Sequence, residues 1–213
     1  MVLTNFVHNI STAFLKMVYL NLLWFFFTIL GLGIFGIGPA TGALFKIQDE
    51  WLEGKSPTSI FTTYAEYYKK YFKKMNKMIF VLATIGLILY FDIRFFAFQD
   101  GLHFELLTGL MYFFTFWYLV LIVYSFPVSI KYDLSMKQHV KYCFSIALLN
   151  PLRTIALIIS AISILVFSLY YPLFLLTVGI SITSLILIYL SNRTFDQIFL
   201  LKKRLQLSSD KQN

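Results

Sequence analysis

Residues 154–192 read TIALIISAISILVFSLYYPLFLLTVGISITSLILIYLSN, a run of 39 residues without a Lys, Arg, Asp or Glu. As one helix, at 1.5 Å per residue, it would be about 58 Å long, nearly twice the roughly 30 Å of a bilayer's hydrocarbon core. The run must therefore fold back on itself. Tyr170, Tyr171 and Pro172 mark the break, because proline removes a helix donor and clashes with the preceding turn, while tyrosine favours the membrane interface. Two spans result, 154–170 and 173–192.

The same charge deficit recurs upstream at 17–45 and 106–130. It predicts a first span at 17–37 and a third at 106–130, with a second at 78–98 that carries Asp92 and Arg94 near its end. With 59% hydrophobic and 13% charged residues and a mean hydropathy of +0.74, the composition excludes an ordinary soluble domain. The expected fold is all-α, a polytopic bundle of five transmembrane helices in a single membrane domain over 1–205, followed by a polar, disordered tail at 206–213. The start of the chain lacks the basic residues of a secretory signal, so the first segment is expected to stay in the mature protein.

Basic residues orient the bundle. Seven lysines lie in 46–77, four Lys or Arg in 131–153 and five in 193–213, all on alternate connections, leaving only Lys16 and Arg94 elsewhere. By the positive-inside rule this predicts an outside N-terminus and a cytoplasmic C-terminus in a cell membrane. The net charge of +8 sits beside apolar runs, which points to the anionic inner leaflet as partner and away from nucleic acid.

Leu3, Phe6, Val7, Ile10, Ala13, Phe14 and Met17 recur at helical spacing, so the N-terminal arm is read as a helix on or leading into the outer surface. Within the first basic connection, Ser56 and Pro57 form a helix start signal. Beyond it, Ile60, Phe61, Tyr64, Tyr67, Tyr68, Tyr71, Phe72 and Met75 make one aromatic stripe. Lys69, Lys70, Lys73, Lys74 and Lys77 crowd its far end. The pattern predicts a separate amphipathic helix over 57–75 lying in the inner interface, its lysines offering a surface to lipid or to a partner.

Few residues could carry chemistry. Gly31, Gly33 and Gly36 spell a dinucleotide fingerprint, but inside an apolar span with no preceding strand. The wider segment 31–43, with Gly36, Gly38, Pro39 and Gly42, reads instead as a helix end, a loosened turn and the start of a cytoplasmic helix, where small residues let backbones approach closely. Asp92 and Arg94, two apart, face different sides of a helix and do not pair. They are either snorkelling residues or polar elements of an outward-facing path. His8, His103 and His139 are scattered and predict no metal site, and no nucleophile, acid and base set can be assembled. No cofactor and no enzymatic activity are expected. The one cysteine, Cys143, is read as a packing residue.

The stretches LNLLW (20–24), GIGPATGAL (36–44), DEWLEGK (49–55), YYKKYFKK (67–74), FPVSIKY (126–132) and LNPL (149–152) resemble the YesL family of small bacterial integral membrane proteins. The chain departs from that pattern at 30–35, where it is glycine-rich and family members tend to carry proline. The resemblance implies a multi-pass protein of the bacterial cytoplasmic membrane, without an established activity, associated with carbohydrate uptake systems. Two functional readings stand: a non-enzymatic accessory to carbohydrate (ABC-type) uptake, with sugar transporter subunits as partners, or a small oligomeric transporter or channel using the break at 31–42 and Asp92.

Overall fold

The computed structural model describes residues 2–209, with side chains from 11 to 197. Every regular element among them is helical: α1 (Val2–Leu30), α2 (Ile34–Leu52), α3 (Ile60–Ala97), α4 (Leu102–Lys131), α5 (Met136–Leu149), α6 (Pro151–Tyr170), α7 (Pro172–Phe174), a π-helical turn (Leu175–Gly179) and α8 (Ile180–Ser209). Five stretches are long and apolar enough to cross a membrane: Ser11–Leu30, Ile60–Ala97, Leu102–Lys131, Pro151–Tyr170 and Pro172–Gln197. The protein is an all-α, multi-pass membrane protein. Of the tail expected at 206–213, residues 206–209 continue α8 and 210–213 lie outside the described residues.

The chain divides into two compact units, one running up to Met75 and including Ile159–Tyr189, the other comprising Asn76–Ile158 and the residues from Leu190 onward. In the first unit, α1 ends at Leu30 and the chain reverses over Gly31, Leu32 and Gly33. The turn is a Schellman motif: the Leu32 N–H reaches the Ile29 carbonyl at 2.9 Å and the Gly33 N–H reaches the Thr28 carbonyl at 2.9 Å. Leu32 holds the left-handed position, φ 57°, where glycine is usual.

Beyond this turn α2 lies antiparallel against α1 in a constant register. Gly36 meets Thr28, Thr41 Oγ1 accepts the Trp24 indole N–H at 2.9 Å, Gln48 Nε2 approaches Met17 Sδ at 3.7 Å, and Lys16 Nζ stands 5.5 Å from the Trp51 ring. The expected span 17–37 is thus two pieces: its last residues, 34–37, already belong to the returning helix. Leu20, Leu23 and Phe27 of α1 close a core with Ala40, Ala43, Leu44 and Ile47 of α2 and Tyr64 of α3.

The amphipathic segment also differs from expectation. It starts at Ile60, not at 57, with the Ser59 carbonyl accepting the Thr63 N–H at 3.2 Å, and it is no separate helix, since α3 runs unbroken to Ala97. From 60 to 85 there is neither glycine nor proline to interrupt it. The centre of the aromatic stripe faces protein: Tyr64 and Met75 are fully buried, the Tyr64 hydroxyl donates to the Ala40 carbonyl at 2.7 Å, and its ring stacks on Phe27 at 5.0 Å, while Phe61 and Phe72 at its edges are exposed.

In the second unit α4 packs on α5, with Trp117 edge-on to Phe144 at 5.4 Å. Val120, Tyr124, Val128, Cys143, Ile146 and Leu157 form its interior. The Tyr118 hydroxyl donates to the Leu82 carbonyl at 2.9 Å, and the Tyr124 hydroxyl lies 3.0 Å from Thr154 Oγ1. Ser135 and Gln138 form a capping box that starts α5. α6 begins at Pro151, a first helical position where the missing N–H costs nothing, and ends at Tyr170 before Pro172.

Candidate functional site

Of the glycine-rich residues singled out in the sequence, Gly36, Gly38, Pro39 and Gly42 are all buried on α2. Gly36 has no room for a side chain, because a Cβ there would fall on the Thr28 backbone; Gly31 is equally confined by Gly36. A Cβ on Gly42 would sit 3.0 Å from Met75. These residues bring three helices of the first unit together, and close backbone approach of this kind is how helices associate without a hydrophobic drive between them. The segment is a packed joint.

The polar centre of this unit lies elsewhere. Asn21, fully buried on α1, inserts its amide into the π-helical turn: Nδ2 donates to the Leu176 carbonyl at 2.7 Å and the Leu175 carbonyl at 3.0 Å, while Oδ1 accepts the Ile180 and Ser181 N–H groups, each at 3.2 Å. All the hydrogen-bonding capacity of one amide is thus used on backbone where the helical ladder changes register. Gln48, also fully buried, donates to the Ser181 carbonyl at 2.7 Å, and the Ser184 hydroxyl shares that carbonyl at 3.0 Å. Gln48 Oε1 and Ser181 Oγ are buried with no hydrogen-bond partner in the protein. Next to Gln48, Asp49 is 1% exposed and faces Lys46 Nζ at 3.6 Å, which also lies 3.6 Å from Glu50. The Tyr67 hydroxyl donates to Glu50.

The signal for this centre was present in the sequence: Asn21 is the one amide in the charge-free run 17–45. Its partner could not be read, since a π-turn has no composition of its own.

On α3, Lys69, Lys70, Lys73 and Lys77 are exposed and Lys74 half-buried, on the side of the helix opposite Tyr64, Tyr71 and Met75. Four solvent-facing ammonium groups within nine residues make this a concentrated cationic surface. Asp92 is half-buried and Arg94 exposed. They do not meet. The Arg94 guanidinium lies 5.8 Å from the Tyr90 ring and 5.8 Å from the Phe98 ring, one helical turn to either side. Neither lines the shallow groove formed at the far end of α3 by Phe96, Gln99, Glu105, Thr108 and Tyr112. Among the described residues no group of three His, Cys, Asp or Glu could hold a metal ion.

Residues 17–93 match the family described as "Protein of unknown function, DUF624". The chain is 30% identical over 158 residues to uncharacterized protein YteU of Bacillus subtilis (strain 168), covering 74% of this chain and 71% of that protein. To uncharacterized protein YesL of the same organism it is 29% identical over 191 residues, 90% of each chain. To uncharacterized protein YesV it is 28% identical, covering 87% of this chain and 89% of the relative. No solved structure matches. The matched region contains Asn21 and Gln48, the facing parts of α1 and α2 and the lysine face, and the resemblance read from 20–24, 36–44 and 67–74 falls inside it: the chain belongs to the DUF624 family of proteins of unknown function and is a YesL-like membrane protein.

Proposed function

We propose that the protein is a non-enzymatic accessory component of the bacterial cytoplasmic membrane, serving carbohydrate uptake by an ABC-type importer. The observation that carries the accessory reading is the lysine face of α3. The centre of its aromatic stripe is occupied by α1 and α2, so the helix is held rigidly and presents Lys69, Lys70, Lys73 and Lys77 outward. Such a surface suits anionic headgroups or an acidic partner at the inner leaflet, at about 1 kcal/mol per lysine near a charged membrane. The basic connections at 46–77, 131–153 and 193–213 support a cytoplasmic position for that face. The carbohydrate part of the reading is supported by the family resemblance alone.

The test is crosslinking in native membranes from a photoreactive residue at position 66, exposed on the same side of α3 and outside the four lysines, followed by mass spectrometry. Capture of importer subunits, lost when the four lysines become glutamine, is the expected result. Capture of lipid alone, together with sugar flux by the purified protein in vesicles, would overturn it.

A second reading, a small oligomeric transporter or channel, is favoured by the buried amide of Asn21, because polar side chains inside membrane segments commonly mark solute or proton paths. Flux through proteoliposomes that Asp92→Asn or Asn21→Leu abolishes would favour it over the first.

A further inference from the structure

We propose that the groove between the end of α3 and the start of α4 binds a phospholipid with an ammonium headgroup, of the phosphatidylethanolamine class, its ammonium on Glu105 and an acyl chain along Gly109 and Tyr112. The depth of the groove carries the lipid assignment. Within the second unit α3 and α4 run antiparallel: the Ser129 hydroxyl donates to Met78 Sδ at 3.2 Å, the Tyr118 hydroxyl to the Leu82 carbonyl, and Phe96 stacks on Phe104 at 6.5 Å. From Met78 to Phe96 the helix rises about 27 Å, close to the roughly 30 Å of hydrocarbon. Lys77 and Lys131 flank one end of this pair, and no lysine occurs between them. The groove lies at the other end, and so at the opposite membrane interface, where lipid headgroups and the upper parts of their chains are the surrounding medium.

Its shape suits one headgroup and the upper part of one chain. The groove holds about 340 Å³, within the lower range of ligand sites, and is lined by Phe96, Ala97, Gln99, Glu105, Thr108 and Tyr112. Gly109 completes the lining, and a Cβ there would meet nothing within 4 Å. The Thr108 hydroxyl donates to the Phe104 carbonyl at 2.9 Å and is spent inside the helix. Seven residues separate Glu105 from Tyr112, about 10 Å along α4, so the groove runs from a charged rim down a wall of aromatic ring and open glycine.

Charge selects the headgroup. Glu105 is the charged side chain among the lining residues, and among the described residues it forms no ion pair. A carboxylate left without a partner at a lipid surface attracts an ammonium and repels a headgroup whose only charge is phosphate. Phe96 and Tyr112 add aromatic rings to the same groove, and ring faces attract alkylammonium groups. Arg94 is exposed near the same level of α3, but its guanidinium lies against the Tyr90 and Phe98 rings and does not neutralise Glu105. Acid and base kept apart at one interface complement the two ends of a zwitterionic headgroup, ammonium to Glu105 and phosphate to Arg94.

The experiment uses the full-length protein in detergent micelles and phosphatidylethanolamine with a photoreactive group in one acyl chain, the crosslinked residues being located by mass spectrometry. Label is expected between residues 96 and 112, and unlabelled phosphatidylethanolamine should displace it. Phosphatidylglycerol with the same chains should not, nor should glycerophosphoethanolamine, which has the headgroup without the chains. Glu105→Gln and Gly109→Leu, both at exposed positions, should melt like the native protein. Glu105→Gln should bind about tenfold more weakly, the loss of one charge-assisted contact, and Gly109→Leu should lose the label by filling the groove. Equal displacement by phosphatidylglycerol, or undiminished labelling of Glu105→Gln, would overturn the ammonium assignment. Displacement by the chainless headgroup would make the ligand a soluble amine and overturn the lipid, and undiminished labelling of Gly109→Leu would overturn the place of the chain.

Discussion

Asn21 and Ser181 are 160 residues apart, yet the Asn21 carboxamide oxygen accepts the Ser181 N–H at 3.2 Å while its nitrogen holds the Leu175 and Leu176 carbonyls. An asparagine in the middle of an apolar helix would be a liability without such partners, since an unpaired buried amide costs a few kcal/mol. Replacing Asn21 by leucine removes four hydrogen bonds and leaves buried backbone groups exposed to an apolar side chain. We expect Asn21→Leu to lose about 2–4 kcal/mol. The readout is thermal unfolding in detergent, with a drop on the order of 5–10 °C. Asn21→Asp should be nearly as damaging, because a carboxylate cannot donate to the two carbonyls. Native-like melting of both variants would show that the π-turn does not depend on Asn21.

The glycines separate into those that touch and those that do not. Gly36 lies against the Thr28 backbone, whereas Gly109, on α4, has open space where a Cβ would go. Gly36→Ala is expected to force the α1–α2 pair apart, at about 1–3 kcal/mol, the usual cost of overpacking. Gly109→Ala should be neutral or stabilise by about 0.5–1 kcal/mol, through the lower backbone entropy of alanine in a helix. Expression and melting of the two variants side by side check this; equal stability would mean that the close approach at Gly36 is not a tight contact.

Much of the fold was legible because a membrane makes charge a binary signal. The break at 170–172 was readable from Tyr170, Tyr171 and Pro172. The break after α1 was itself readable from the glycines at 31–43, but the return of α2 along α1 was hidden for a physical reason: a Schellman turn satisfies its carbonyls with backbone N–H groups and needs no polar side chain, so nothing in 17–45 marks where the chain reverses. The 57–75 segment misled differently. A helix with one aromatic face has the same periodicity whether that face meets lipid or α1 and α2, and only the observed contact of Tyr64 with Ala40 and Phe27 decides between them. The Asn21 centre depends on a partner far away in sequence, beyond any local pattern.

The stripe of α3 can be separated from its lysines by experiment. Tyr64→Phe removes one hydrogen bond, to the Ala40 carbonyl, and keeps the ring stacked on Phe27. It should cost about 1 kcal/mol of stability and leave any partner contact intact. The four-lysine variant, Lys69, Lys70, Lys73 and Lys77 to Gln, should melt like the native protein, since all four side chains are exposed, but lose binding to anionic lipid or partner. Co-sedimentation of detergent-solubilised protein with anionic vesicles, compared with neutral ones, measures this. A large loss of melting temperature in the lysine variant would mean that the lysines act within the fold.

Cys143 supplies an expectation in pH. It is fully buried on α5, and burial pushes its thiol up to about 12. Its thiolate is therefore absent at neutral pH, and maleimide should leave it unmodified in the folded protein while labelling it promptly in the denatured chain. The folded pKa lies above the ordinary value of about 8.5, so the unfolded chain releases its proton first as pH rises. The contribution of the neutral thiol to stability is complete below about pH 8.5 and declines from there towards pH 12. Cys143→Ala removes this titration. The difference in melting temperature between native protein and variant should therefore be flat from pH 6 to 8 and shift against the native protein by pH 10. A difference that stays constant across that range, or rapid labelling of the folded protein at pH 7, would show that Cys143 is reached by water.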